Sequence, residues 1–100
     1  MFTKEEIASI DKEYFYILSS NAFQITMQSR NTKHEWHILC RENILHGRTI
    51  SSCVISHRHN RQSGFHIHGQ AASLADAIEM IKKHDSYMMS KGGGNNGVSR

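Results

Sequence analysis

The chain predicts a two-layer α+β domain: an antiparallel sheet of three to four strands with an N-terminal and a C-terminal helix on one face. Three observations carry this expectation. They are a capping-box signature at the start, a cleanly alternating stretch from Ala22 to Arg30, and a serine-capped amphipathic segment from Ser73. One hundred residues supply one modest core, so residues 1–90 are expected to form a single domain and residues 91–100, rich in Gly and Asn, a flexible tail.

Residues 4–18 read as the first helix. Thr3 is its N-cap, Glu6 completes a capping box, and Ile7, Ile10, Tyr14 and Ile17 form an apolar stripe at helical spacing. Ser19-Ser20-Asn21 breaks that pattern. From Ala22 to Arg30, Phe23, Ile25 and Met27 alternate with Gln24, Thr26, Gln28 and Arg30, as in a strand with one face buried. Asn31-Thr32-Lys33 is a turn, and His34 to Arg41 a second strand that buries Trp36 and Ile38. Residues 42–48 read as a loop, and Thr49 to about His57 as a third strand dense in β-branched residues. The register of this third strand is ambiguous, with Ile50 and Val54 slightly favoured as the inward pair.

After a turn at residues 60–64, a short strand from Phe65 to Gln70 is expected to turn Phe65 and Ile67 inward and His66 and His68 outward. In the last helix, Leu74, Ala77, Ile78 and Ile81 form the stripe, and the helix is expected to fray around Asp85 to Ser90. The outer sheet face would then show Gln24, Thr26, Gln28, Arg30, His37, Arg41, His66 and His68.

Charge is unevenly distributed along the chain. Residues 1–29 carry two lysines against four acids, a net of −2, whereas residues 30–68 carry six Arg and Lys against two Glu, a net of +4. The same middle segment holds seven of the eight histidines, so it is the surface expected to attract phosphates or an acidic partner. No apolar run approaches the roughly 20 residues of a membrane span, and the start of the chain lacks a signal-peptide core, so a cytoplasmic protein without a membrane partner is expected. Cys40 and Cys53 lie in strand-like runs and read as buried free thiols.

The densest chemistry lies between His57 and Gln70, where two His-x-His pairs flank a turn. Members of such a pair share one side of a strand, and a hairpin sets the two pairs side by side. His57, His59, His66 and His68 therefore offer imidazoles for a metal, and a His-ligated metal-binding protein is one alternative. No carboxylate lies within residues 57–70 to supplement or orient them, so no metal ligand set or other cofactor is assigned.

The segment His66-Ile67-His68-Gly69-Gln70-Ala71-Ala72 resembles the H-x-H-x-Q-x-x motif of the galactose-1-phosphate uridylyltransferase branch of the histidine-triad superfamily. That resemblance implies His68 as a nucleophile on a nucleotide phosphate, with Gln70 beside it. The helix-sheet-helix order also looks like double-stranded RNA-binding domains and HicA-type toxin ribonucleases. Together these supply the enzymatic alternative, a His-dependent RNA- or nucleotide-phosphate-cleaving protein.

No catalytic constellation dominates, so the leading expectation is a small non-enzymatic binding protein. Its partner would be a nucleic acid or a nucleic-acid-handling protein, in the style of the anti-CRISPR inhibitors of phages and mobile elements. The expected contacts are Arg30, Arg41, Arg48, His57, Arg58, His59, Arg61, His66 and His68, with Arg58 and Arg61 foremost, and a homodimer is compatible with this surface.

Overall fold

The computed structural model of the chain describes residues 1–93. In order, it contains helix α1 (Lys4–Ala8), strands β1 (Phe15–Ser20), β2 (Gln24–Ser29), β3 (Glu35–Leu45), β4 (Arg48–Arg58) and β5 (His66–Ala71), and helix α2 (Leu74–Gly93). The strands form one antiparallel meander in the order β1-β2-β3-β4-β5. The α+β class with a helix at each end is as expected, but the strands number five rather than three or four.

The additional strand comes from the segment expected to prolong the first helix. The capping box is present: Thr3 Oγ1 accepts from the Glu6 N–H at 3.0 Å, and the Glu6 carboxylate accepts from the Thr3 N–H at 2.8 Å. Even so, α1 ends at Ala8. The Asp11 side chain takes the Glu13 N–H at 2.9 Å and its carbonyl takes those of Tyr14 and Phe15, turning the chain into β1. The aromatic and β-branched run Phe15-Tyr16-Ile17 suits a pleated surface, and as a strand it pairs with β2, Phe15 opposite Ser29 and Ile17 opposite Met27.

The loop expected at residues 42–48 is almost entirely strand. Leu45 pairs with Arg48 across a two-residue turn, His46-Gly47, in which both residues have positive φ, 53° and 74°. This backbone matches the right-handed twist of a hairpin, and glycine adopts it without cost. Its strand character left no alternating pattern because neither face is covered: residues 41–50 are all exposed. The arm extends past the points where β2 and β5 stop pairing with β3 and β4.

Phe15, Ile25, Met27, Trp36, Ile38, Cys40, Cys53 and Ile55 form one buried sheet face, which meets Phe2, Ile10, Leu74, Ala77 and Ile81. Both helical segments therefore cover the same side. Trp36 fixes the register of β4, because His57 lies opposite it, Ile55 opposite Ile38 and Cys53 opposite Cys40. The inward residues are thus Cys53, Ile55 and His57, not Ile50 and Val54. Cys40 and Cys53 keep free, buried thiols. Phe23, expected inward, precedes β2 and is exposed.

Helix α2 starts on Ser73, whose Oγ accepts the Asp76 N–H at 3.1 Å. It does not fray at residues 85–90 but continues to Gly93, because Asp85 is fully buried and anchors that turn. Of the expected tail, residues 91–93 belong to α2 and the remainder lies outside the described residues. Among the described residues, no helix is long and apolar enough to cross a membrane.

Candidate metal centre

The hairpin histidines face the helix rather than the open side of the sheet. His57 and His66 are register partners on the face of Trp36, and strand alternation puts His68 on that side as well, where a bulge leaves it unpaired before Gly69 resumes opposite Ile55. The His68 ring lies edge-on 5.3 Å from Trp36 and 5.0 Å from His84 of α2. Ile67, expected inward, is 71% exposed. Phe65 lies near the Arg58 guanidinium, 4.3 Å from its ring centre, and near His37, 6.0 Å away. The apolar-inward rule inverts here because this end of the core is lined by imidazoles and Trp36 instead of aliphatic groups.

The bulge also overturns the geometry implied by the histidine-triad resemblance. Gln70 pairs with Val54, which faces away from the core side occupied by Ile55, while His68 points toward α2. The two residues cannot attend one phosphate.

Two histidines outside the hairpin complete the cluster. His34 immediately precedes β3 and shares the strand face of Trp36; His84 projects from α2. One ligand nitrogen from each of His34, His57 and His84 falls within 4.8 Å of the others. His57 Nε2 and His34 Nδ1 are 3.0 Å apart. Two nitrogens on a tetrahedral zinc ion at its usual bond length stand about 3.3 Å apart, and the two ring centres about 5 Å. The ring centres here are 4.9 Å apart for His34 and His57, 4.9 Å for His57 and His84, and 6.2 Å for His34 and His84. In addition, the His84 Nε2 is buried without a hydrogen-bond partner, which a bound cation would supply.

These imidazoles are held neutral, the form that binds metal. Burial, then the neighbouring rings of His34, His84, His59 and His66, pushes His57 down to about 3. His34, His68 and His84 are lowered as well, burial being the largest cause for each. Asp85 opposes the shift at His34 and His84.

A histidine whose folded value is depressed leaves the unfolded chain binding more protons once pH falls below the ordinary value of about 6.5. Stability from this source is fully present above that pH and is lost as pH falls toward about 3, the folded value of His57. The urea midpoint of the metal-free chain is therefore expected to decline steadily from about pH 7 to pH 4. A flat midpoint over that range would contradict a neutral cluster.

A buried polar network fixes the ligands from below. The Asp85 carboxylate accepts from Tyr14 Oη at 2.8 Å, Ser29 Oγ at 2.6 Å and Thr32 Oγ1 at 3.0 Å. Trp36 Nε1 donates to Ser29 Oγ at 3.1 Å, and Thr32 Oγ1 also accepts the His34 N–H at 3.2 Å. The network ties the turn carrying His34 and the indole beneath His57 to the helical turn carrying His84.

The arginines expected to form a contact surface have separate fates. Glu35, buried on the opposite sheet face, accepts from Arg58 at 2.7 Å and 3.2 Å and from Arg61 at 3.1 Å. Burial raises the Glu35 carboxyl, but the two guanidiniums outweigh it and hold the group below its ordinary value. Arg30 donates to the Lys12 carbonyl at 3.1 Å and lies 5.6 Å from the Tyr16 ring centre. Arg41 and Arg48 are exposed on the β3–β4 arm, away from the histidines. Of the expected contacts, the fold gathers His57, His59, His66 and His68 and disperses the arginines.

His34 and His84 were missed by sequence reasoning, although each carried a signal. His34 stands two residues before Trp36 on the same strand face, and His84 extends the buried helical series Leu74, Ala77, Ile81. Compared with known proteins, the chain matches no family model and has no significant match among curated proteins or solved structures.

Proposed function

We propose that this protein binds a divalent transition-metal ion through His34, His57 and His84. The observation that carries the proposal is the buried, unpartnered Nε2 of His84, on a ring that shares a 4.8 Å ligand cluster with two further imidazoles. Burying a polar atom without a partner costs on the order of 1–3 kcal/mol, a cost that metal coordination would offset. Imidazole nitrogens suit zinc, copper, nickel or iron and disfavour calcium and magnesium, which take oxygen ligands.

Binding of a nucleic acid or of a protein that handles one has less geometric support. Three of its five expected arginines, Arg30, Arg58 and Arg61, make contacts within the chain.

The test is titration of the metal-free, untagged chain with zinc against a chromophoric competitor. One equivalent is expected to bind, and His57→Ala is expected to weaken binding at least about a hundredfold, in line with the large share of affinity each ligand carries in a closed centre. Absence of uptake by the wild-type chain would refute the proposal.

A further inference from the structure

Three imidazoles leave one position of a tetrahedral ion open, and its occupant decides what the centre can do. With water there, the ion is a Lewis acid; with a fourth protein nitrogen, it is closed. Three further histidines flank the trio, of which His66 approaches His57 alone, at 5.6 Å between ring centres. The ring centre of His59 lies 4.5 Å from that of His34 and 5.0 Å from that of His57. Both distances match the spacing of about 5 Å for imidazoles on a common tetrahedral ion. His68 meets the same spacing only toward His84, at 5.0 Å; it lies 6.0 Å from His57 and rests edge-on against Trp36.

His59 is also placed to adjust. It stands two residues beyond His57 on the same side of the chain, one position past the end of β4. There the backbone has left the sheet and enters the turn around Asn60, whose side chain caps Gln62 and Ser63. His59 stands outside the 4.8 Å nitrogen cluster, so its exposed side chain would have to rotate to bring a ring nitrogen to the ion, a freedom that the His68 backbone, fixed in a bulge of β5, does not share.

From this juxtaposition we infer that His59 is the fourth ligand, closing a four-imidazole centre with His34, His57 and His84 that holds the ion without offering it to a substrate. The inference rests on the metal-binding reading and sharpens it. The protein would then retain or sense the ion, and the ion would join the start of β3, the end of β4 and α2 into one unit.

Cobalt(II) tests this, because its visible spectrum reports coordination number and exchangeable ligands. The wild-type chain is expected to give a tetrahedral cobalt spectrum that added azide leaves unchanged. His59→Ala is expected to lose at least about tenfold in cobalt affinity, the loss that even a hydrogen-bond partner of a ligand produces. Its spectrum should now shift with azide, while His68→Ala behaves as the wild type. His59 is exposed, so circular dichroism of the variant should match the wild type and separate ligand loss from misfolding. An azide-sensitive wild-type spectrum, an unweakened His59→Ala, or a weakened His68→Ala overturns the assignment of His59 while leaving the trio standing. Failure of the wild-type chain to take up cobalt removes both.

Discussion

Zinc at a hundredfold excess over its dissociation constant is expected to raise the thermal midpoint of the metal-free chain by roughly 10–20 °C. The figure follows from mass action: such an excess contributes about 2.7 kcal/mol, and each kcal/mol moves a domain of this size by about 4–8 °C. His84→Leu is expected to abolish the shift. The same substitution should also stabilise the metal-free chain by about 1 kcal/mol, since it replaces a half-buried imidazole whose buried Nε2 has no partner with an apolar group. Scanning calorimetry with and without zinc measures both effects. A side chain that lowers stability without its ligand and raises it with ligand has a binding role; a merely structural histidine would lower stability when replaced and show no zinc response. Destabilisation of the metal-free chain by His84→Leu, with the zinc response intact, would count against the centre.

Asp85→Ala is expected to cost roughly 3–5 kcal/mol, because three hydrogen bonds to one buried carboxylate are lost together while two of their donors are only partly buried. The carboxylate collects three hydroxyl donors, from Tyr14, Ser29 and Thr32, and removing it leaves the buried Ser29 and the half-buried Tyr14 and Thr32 without that acceptor. Domains typically have about 5–15 kcal/mol of stability, so this single change removes a large fraction of it. Asp85→Asn keeps one acceptor oxygen and should cost less. Urea unfolding of both variants measures the difference, and a loss below about 1 kcal/mol for Asp85→Ala would mean that the three hydroxyls find other partners. Zinc affinity should fall in the same variant, because Thr32 couples Asp85 to the backbone of His34.

Features governed by local chemistry were legible in the sequence. The Thr3 capping box, the Ser73 cap, the turn at residues 31–33 and the inward placement of Ile25, Met27, Trp36 and Ile38 all follow from side chains acting within a few positions of themselves. What escaped depended on distant partners. Phe15 to Leu18 carries spacing compatible with a helix, and only pairing with β2 makes it a strand. The register of β4 rests on Trp36 across the sheet, and the strand nature of residues 42–48 on a two-residue turn.

The candidate site was legible in its density but not in its direction. Placing Ile67 inside and His66 and His68 outside follows ordinary hydropathy. The pairing of His66 with His57 and the imidazole-lined end of the core reverse it. His84 could not be joined to the hairpin without knowing that α2 crosses this end of the sheet, and Glu35 could not be assigned to Arg58 and Arg61 without the pairing of β3 with β4.

The meander also sets an order of events along the folding reaction. Each strand pairs with its neighbour in sequence, so the sheet requires only short loop closures and can form early. The Tyr14 to Asp85 hydrogen bond, spanning 71 positions, and the meeting of His84 with His34 must wait for α2 to dock. If that docking follows the rate-limiting step, an ion held between His34 and His84 joins contacts absent from the transition state. Its stabilisation would then appear almost wholly as slower unfolding, giving the loaded protein a longer lifetime rather than a faster birth.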